Sequence, residues 1–391
     1  MRVVIAAPAY YPAHKAGGPV PGIMGVVEGL AGHEVHVVTS DRDLGESAPY
    51  PAPYRDTVQV GAASVTYLPP PGRGTAGTWW RALRLLHSAD VVQFNSLMSK
   101  THTIVPLLFL ALTRFRGQVV ISPRGELASS ALVLGGSRQK RLWLGLLARA
   151  GWWRRVGRSS NGGRDANVLW VVSSDHEGDD VRRAFPGAAV AVAPERLRGA
   201  GSRARGARPP LAEGLRMVSV GRIAPVKGTV DLVRGLAAVR RPVHLRLLGL
   251  VEDADYAAQV EDAIAALPEH VTVELAGALP PDEVEAELGG AHLFALLTRG
   301  ENFGHALGEA LRAGCPVLVT DTTPWTPVGE AGAGVVLTVP DCASVERVAE
   351  AVDSFAEMDD RTHALWSERA REYVAGLTQP PSLVELLEQH P

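Results

Sequence analysis

Leu215-Arg216-Met217-Val218-Ser219-Val220-Gly221-Arg222-Ile223-Ala224-Pro225-Val226-Lys227-Gly228 is the stretch that decides the fold. Its first six residues read as a short buried strand, and the two glycines then punctuate a turn before the helical stretch Thr229–Val239. A strand that passes through a glycine turn into a helix begins a βαβ unit. Outward to the C-terminus the alternation continues, with strands at Val243–Leu248, Val271–Leu275, His292–Leu296, Pro316–Thr320 and Val335–Val339. Helices fall between them at Tyr256–Leu267, Pro281–Gly289, Phe303–Ala313 and Ala343–Met358. Outward to the N-terminus, strand Val3–Ala7, a Pro/Gly-rich loop (Pro8–Pro21), helix Gly22–Ala31 and strand Glu34–Thr39 open a second series. Apolar runs at Val91–Phe94, Val119–Ser122, Val168–Val172 and Ala189–Val192 continue it.

Between the two series, Arg196–Pro210 carries five arginines and two prolines with hardly any large apolar residue, the composition of a linker. The expected fold class is therefore α/β, with two Rossmann-like doubly wound domains facing a central cleft. Residues 1–195 form the first, 196–213 an Arg/Gly/Pro-rich linker and 214–375 the second, with a tail at 376–391 that packs back on the first domain. A chain of 391 residues is in any case long for one core.

Bulk composition removes several function classes. The formal net charge of −3 gives no global attraction to nucleic acid. Cys315 and Cys342 are too few for a disulfide framework or a cysteine zinc site. No basic n-region with an apolar h-region precedes Val3, and the longest apolar run, Thr103–Leu112, is far short of the roughly 20 residues of a membrane span. A cytoplasmic protein, peripheral to a membrane at most, is the expectation. Of the 39 basic residues only Lys15, Lys100, Lys140 and Lys227 are lysine, so a lysine at a strand end is noteworthy.

Two motifs carry the chemistry. In Gly221–Gly228 the glycines let the backbone approach a ligand, Arg222 offers a planar fork and Lys227 a point charge, both suited to phosphate oxygens. In Thr298-Arg299-Gly300-Glu301-Asn302-Phe303-Gly304-His305-Ala306-Leu307-Gly308-Glu309, Glu301 falls in a loop and Gly304 near the first turn of a helix, whose unbonded N–H groups can hold phosphate. Glu309 lies about two turns further along. Taken alone, two glutamates eight apart, or a basic turn, are as readily solvated surface.

Together these residues resemble the retaining GT-B glycosyltransferases of family 4, the group 1 glycosyl transferases. Glu301 and Glu309 match the family's E-x7-E motif, and Gly221–Gly228 its GR…KG motif. The likeness extends to Tyr11-Pro12, Gly17-Gly18 and Gly314-Cys315-Pro316-Val317. It implies a transferase that uses a UDP-, GDP- or dTDP-sugar without cofactor or metal, retaining the anomeric configuration. Arg222 and Lys227 would bind the donor diphosphate, Glu309 the ribose, and Glu301 the transferred sugar, making Glu301, Arg222 and Lys227 the catalytic set. The donor contacts would be completed by Gly17, Gly18, Gly221, Asn302, Phe303, Gly304, His305 and Ala306, with main-chain groups around Gly277 and Leu279 facing the base.

The acceptor would be met by the first domain, where His14, Lys15, Asn95, Arg124 and Glu126 are the candidates. Tyr11–Pro19, Asn95-Ser96 and Ser122–Leu127 resemble a subgroup that glycosylates exopolysaccharides and secondary metabolites, so an antibiotic, another small molecule or a glycan is the expected acceptor. Many family members place a histidine where this chain has Arg124. An arginine is no general base, but it can bind an anion or hold a carboxylate such as Glu126, and a structural ion pair is an equal reading.

Other features are weaker. Asp253-Ala254-Asp255 has a metal-binding spacing, but acids at a helix start complement its dipole, and that reading is preferred. The first strand is not followed by G-x-G-x-x-G, which disfavours a nicotinamide enzyme. Arg138–Arg164 carries eight basic residues, no acid and Trp143, Trp152 and Trp153. Such a segment can lie on an anionic membrane, although a solvated basic face is the preferred reading. A nucleotide-sugar epimerase and a non-catalytic nucleotide-sugar-binding subunit stand as the alternatives to a transferase.

Overall fold

The computed structural model of the chain describes residues 1–54, 56–127, 145, 168–197, 208–378 and 380–389. The basic stretch 138–164 lies outside them apart from Gly145, as does the middle of the expected linker. The chain divides into two compact units, Met1–Arg198 with Gln379–Pro391, and Gly199–Thr378.

The first unit is built on strands β1 (Arg2–Ala6), β2 (Glu34–Ser40), β3 (Thr57–Val60), β4 (Ala63–Leu68), β5 (Val91–Phe94), β6 (Gln118–Ile121), β7 (Val168–Val172) and β8 (Ala189–Val192). Their order is β3-β4-β2-β1-β5-β6-β7-β8, and every pair is parallel except β3–β4. Helices α1 (Pro19–Glu28), α2 (Ala76–His87), α3 (Val105–Leu112) and α4 (Asp175–Ala184) belong to it. Helix α1 starts three residues before its expected position, because Pro19 has the φ of a helix and its missing N–H is not needed in the first turn.

The second unit has a six-stranded, wholly parallel sheet of β9 (Leu215–Val220), β10 (Val243–Leu248), β11 (Val271–Gly277), β12 (Leu293–Leu296), β13 (Val317–Thr320) and β14 (Gly334–Leu337). The order β11-β10-β9-β12-β13-β14 is that of a Rossmann sheet, winding in one direction from β9 and in the other from β12. All residues of β12 and β13 are buried, which is why they read as unbroken apolar runs. The helices are α5 (Thr229–Gly235), α6 (Ala254–Ala265), α7 (Pro281–Gly290), α8 (His305–Arg312), α9 (Val339–Cys342), α10 (Val345–Ala356) and α11 (Asp360–Ala375).

Some expected boundaries shift for local reasons. The helix expected from Phe303 begins at His305, since Gly304 takes a left-handed conformation, φ 80°. The strand expected to reach Val339 stops at Leu337, because Thr338 accepts the Asp341 N–H and caps α9. The helix expected to run to Val239 ends at Gly235 and tightens into a 3₁₀ turn, Leu236–Ala238. Asp253 accepts the Tyr256 N–H at 2.9 Å, so the first carboxylate of the D-x-D spacing caps α6.

The chain ends in α12 (Leu383–Gln389), which belongs to the first unit. Leu383, Leu386 and Leu387 join the same core cluster as Val3, Ile5 and Val37. Burying a leucine is worth roughly 1.5–3 kcal/mol, enough for three of them to hold a two-turn helix in place. Arg196 adds a hydrogen bond from Nη2 to the Pro380 carbonyl, 2.7 Å.

Candidate active site

Open α/β sheets bind ligands beyond the C-terminal ends of the strands at the point where the winding direction reverses. In the second unit that point lies between β9 and β12, which pair in parallel. The turn after β9 is Gly221–Gly228, and the turn after β12 is Leu297–Gly304. Topology therefore brings the two motifs, far apart in sequence, side by side.

Hydrogen bonds fix the two turns to each other. The Val226 carbonyl accepts from the Thr298 hydroxyl at 2.9 Å and from the Arg299 N–H at 2.8 Å. Thr320 and Thr322, at the end of β13, donate to the Thr298 carbonyl at 2.6 and 2.9 Å. Gly228 is left-handed, φ 65°, and a Cβ on it would overlap the Leu297 carbonyl oxygen. Only glycine permits that approach.

The functional side chains rest on this frame. Lys227 Nζ lies 2.6 Å from Glu301 Oε2, and the two side chains are only 15% and 17% exposed. Arg222 is exposed, and its Nη1 lies 2.5 Å from Glu252 Oε1. Helix α8 starts beside them with no side chain capping it, and the positive end of its dipole favours an anion there. A Cβ on Gly304 would crowd Glu301 Cγ and Leu307, so the left-handed glycine lets the glutamate turn pass directly into the helix. His305 is buried, and its ring packs 4.8 Å from Phe303, which in turn lies 5.7 Å from Trp325. The Trp325 indole N–H donates to the Phe303 carbonyl and so anchors Asn302 and Phe303 from β13's side. Ala306 and Glu309 are partly exposed on α8.

Gly277 ends β11 with φ 71°, and its carbonyl accepts the Gly249 N–H at 2.8 Å. Gly249 packs in turn against the Gly221 carbonyl, where a Cβ would overlap. Leu279 follows, just before Pro280 caps α7. Three consecutive strand ends are thus tied together by glycines. Gly249, Glu252, Thr298 and Trp325 were missed in the sequence; Gly249 alone carried the signal that marked Gly221, a glycine directly after a buried strand.

In the first unit the strand-order reversal lies between β1 and β5, and each expected acceptor residue stands on a loop after β1, β5 or β6. Gly17 is left-handed, φ 68°, with nothing near its Cβ position, and Gly18 precedes α1 as its N-cap. Asp43 accepts the His14 and Lys15 N–H groups at 2.9 and 3.2 Å, and the Lys15 side chain pairs with Glu46.

One expectation is corrected here. Arg124 does not hold Glu126: it forms a largely buried ion pair with Glu195, both 12% exposed, and donates from Nη2 to Asn95 Oδ1 at 2.9 Å. Glu126 instead accepts from the Ser96 hydroxyl and from the Leu97 and Met98 N–H groups, so its carboxylate shapes the loop after β5. Arg124 itself has a positive φ of 53°, an uncommon conformation for a side-chain-bearing residue. Glu177 steadies the turn by accepting the Gly125 N–H at 2.6 Å.

Two cations, a half-buried carboxylate and an uncapped helix start thus stand on the turns where the winding of a Rossmann sheet reverses. Residues 208–373 match the family model described as glycosyl transferases group 1. The matched residues lie within the second unit, whose likeness to a group 1 glycosyl transferase domain supports a transferase. No curated protein matches the chain. Among solved structures, the sucrose-phosphate synthase of Thermosynechococcus elongatus is similar over 97% of this chain and 94% of its own, at 18% identity and a TM-score of 0.66. Anabaena Alr3699/HepE in complex with UDP and glucose aligns over 100% and 98%, at 15% identity and a TM-score of 0.66. WaaG, a glycosyltransferase involved in lipopolysaccharide biosynthesis, aligns over 96% of both chains, at 17% identity and a TM-score of 0.61. The fold shared with these proteins is the two-domain α/β fold of the GT-B glycosyltransferases.

Proposed function

We propose that the protein transfers a glycosyl group from a nucleoside diphosphate sugar to an acceptor hydroxyl, with retention at the anomeric carbon. The observation that carries this reading is the meeting of Lys227, Glu301 and the start of α8 at the ends of β9 and β12. Breaking a sugar–diphosphate bond builds negative charge on the leaving group, and two cations with a helix N-terminus stabilise that charge without a metal. Lys227 and Arg222 would take the diphosphate together with the amides of Gly304, His305 and Ala306. Glu309 would hold the ribose, and the Gly277–Leu279 main chain would face the base.

The Lys227–Glu301 pair fits such a substrate. Donor binding would re-pair both groups, the ammonium turning to phosphate oxygens while the carboxylate accepts from sugar hydroxyls, so that neither charge is left uncompensated. Front-face attack, with the departing phosphate taking the acceptor's proton, requires no nucleophile from the protein. The structure of Anabaena Alr3699/HepE with UDP-glucose supports a uridine donor as the first to try. The acceptor is a glycan or a small molecule such as an antibiotic or other metabolite.

The test is incubation with UDP-, GDP- and dTDP-sugars, following nucleotide release with and without acceptor extracts. Acceptor-dependent release, with the product anomer read by NMR, supports the transferase. Donor turnover without any acceptor would identify an epimerase, and tight donor binding without turnover a binding subunit.

A further inference from the structure

Helix α3 inverts the usual pattern of a surface helix. Its eight residues, Val105-Pro106-Leu107-Leu108-Phe109-Leu110-Ala111-Leu112, are all apolar. Leu107 and Leu110 lie in the core, yet Val105, Leu108 and Leu112, which share a face at i, i+3 and i+7, are 52%, 43% and 84% exposed. Water-facing positions of a helix on a globular protein are normally polar. The apolar surface continues onto α2, where Trp80, itself 54% exposed, lies 5.7 Å edge-on from the Phe109 ring. A contiguous patch of this kind marks an interaction site.

Charge around the patch is of one sign. Between Thr57 and Gly125 the only acid is Asp90, whose carboxylate accepts the Arg2 N–H at 2.7 Å. Arg81 and Arg84 on α2, and Arg114 and Arg116 just after α3, are exposed, and no ion pair engages them among the described residues. Some exposed arginines elsewhere do have acidic partners, as Arg182 has Asp179 and Arg347 has Glu350.

We infer that α2 and α3 form a docking surface for an anionic lipid bilayer, independent of the donor site. The leucines, Val105 and Trp80 would enter the interfacial region, and the arginines would pair with lipid phosphates. Two features favour lipid over other occupants. A second copy would set arginine cluster against arginine cluster in a two-fold pairing, which like charge opposes. A polyanion in water would gain nothing from the exposed leucines. No helix among the described residues is long and apolar enough to cross a membrane, so α3 would lie on the bilayer.

The experiment is co-sedimentation of the full chain with vesicles of phosphatidylcholine alone and of phosphatidylcholine containing phosphatidylglycerol. The protein should bind the anionic vesicles, and added salt should weaken binding. Leu108→Ser with Leu112→Ser should lower partitioning at least about tenfold, and Arg84→Gln with Arg114→Gln roughly tenfold on anionic vesicles only. Brominated lipid should quench tryptophan emission, and Trp80→Phe should reduce the quench. All three variants should keep the wild-type unfolding midpoint, because the altered positions are exposed. No binding to anionic vesicles at low salt, or binding indifferent to these substitutions, would overturn the inference. So would a leucine-pair variant that lowers the solution mass without lipid, since a second copy would then be the occupant.

Discussion

Lys227 Nζ and Glu301 Oε2 stand 2.6 Å apart although 74 residues separate them in sequence. The contact joins the turn after β9 to the turn after β12, and it places a cation and an anion together where the direction of the sheet reverses.

That pairing makes Lys227→Ala informative. The variant removes the half-buried ammonium, so affinity for a nucleoside diphosphate should fall about 10–100-fold, and kcat/KM for sugar transfer about 100-fold or more. Calorimetric titration with the free diphosphate measures the first effect and donor turnover the second. Unchanged diphosphate binding would remove Lys227 from the donor site.

Chelation gives a second check on the proposed chemistry. If Arg222, Lys227 and the α8 amides carry the leaving-group charge, EDTA should leave turnover within about twofold of the untreated enzyme, since no divalent ion is then called on to neutralise it. Loss of activity restored by Mg²⁺ or Mn²⁺ would contradict this account.

Glycine at 228 is a steric requirement. Gly228→Ala should destabilise the second unit by at least about 2 kcal/mol, combining a left-handed backbone with overlap on the Leu297 carbonyl. Gly300→Ala is the control, because nothing lies within 4 Å of its Cβ position and its φ is ordinary. Urea unfolding should separate the two; equal stabilities would refute the close approach.

The Arg124–Glu195 pair should behave as a buried ion pair. Arg124→Ala and Glu195→Ala should each cost about 3 kcal/mol, because each strands the remaining charge. The double variant should cost less than the sum, which a double-mutant cycle would read. Strict additivity would mean that the two residues do not interact in solution.

Acid should weaken the second unit through His292. Its Nδ1 accepts the Arg216 N–H at 3.0 Å and its Nε2 faces the Pro209 carbonyl at 2.9 Å, so the neutral ring is the one that fits. Burial pushes its pKa from 6.5 down to about 4, and burial lowers that of neighbouring His363 as well. Between those pH values the unfolded chain binds more protons than the folded one. Stability should thus be fully present above pH 6.5 and decline by roughly 3 kcal/mol for His292 as pH falls to 4. Urea midpoints measured across that range, with His292→Asn flattening the profile, test it.

Much of the site was legible because its chemistry is local. Gly221–Gly228 and Glu301–Glu309 show glycines and charges directly after apolar runs, and those runs are β9 and β12. The hairpin β3–β4 and helix α2 were not read, since Val58, Val60, Val65 and Tyr67 alternate with polar residues too briefly to stand out beside the long buried strands. The partner of Arg124 was not legible for a different reason: Glu195 is 71 residues away, whereas Glu126 is next but one.

The sequence by itself determined the α/β class, most of the strands and the glycine-rich and charged turns that follow β9 and β12, because period, glycine placement and charge act over a few residues. Only the tertiary structure decided which of those residues meet. The strand order β10-β9-β12 puts Lys227 against Glu301, and the glycine contacts of Gly228 and Gly249 set how closely the turns approach. Such partnerships depend on the register of strands distant in sequence, which no local pattern encodes.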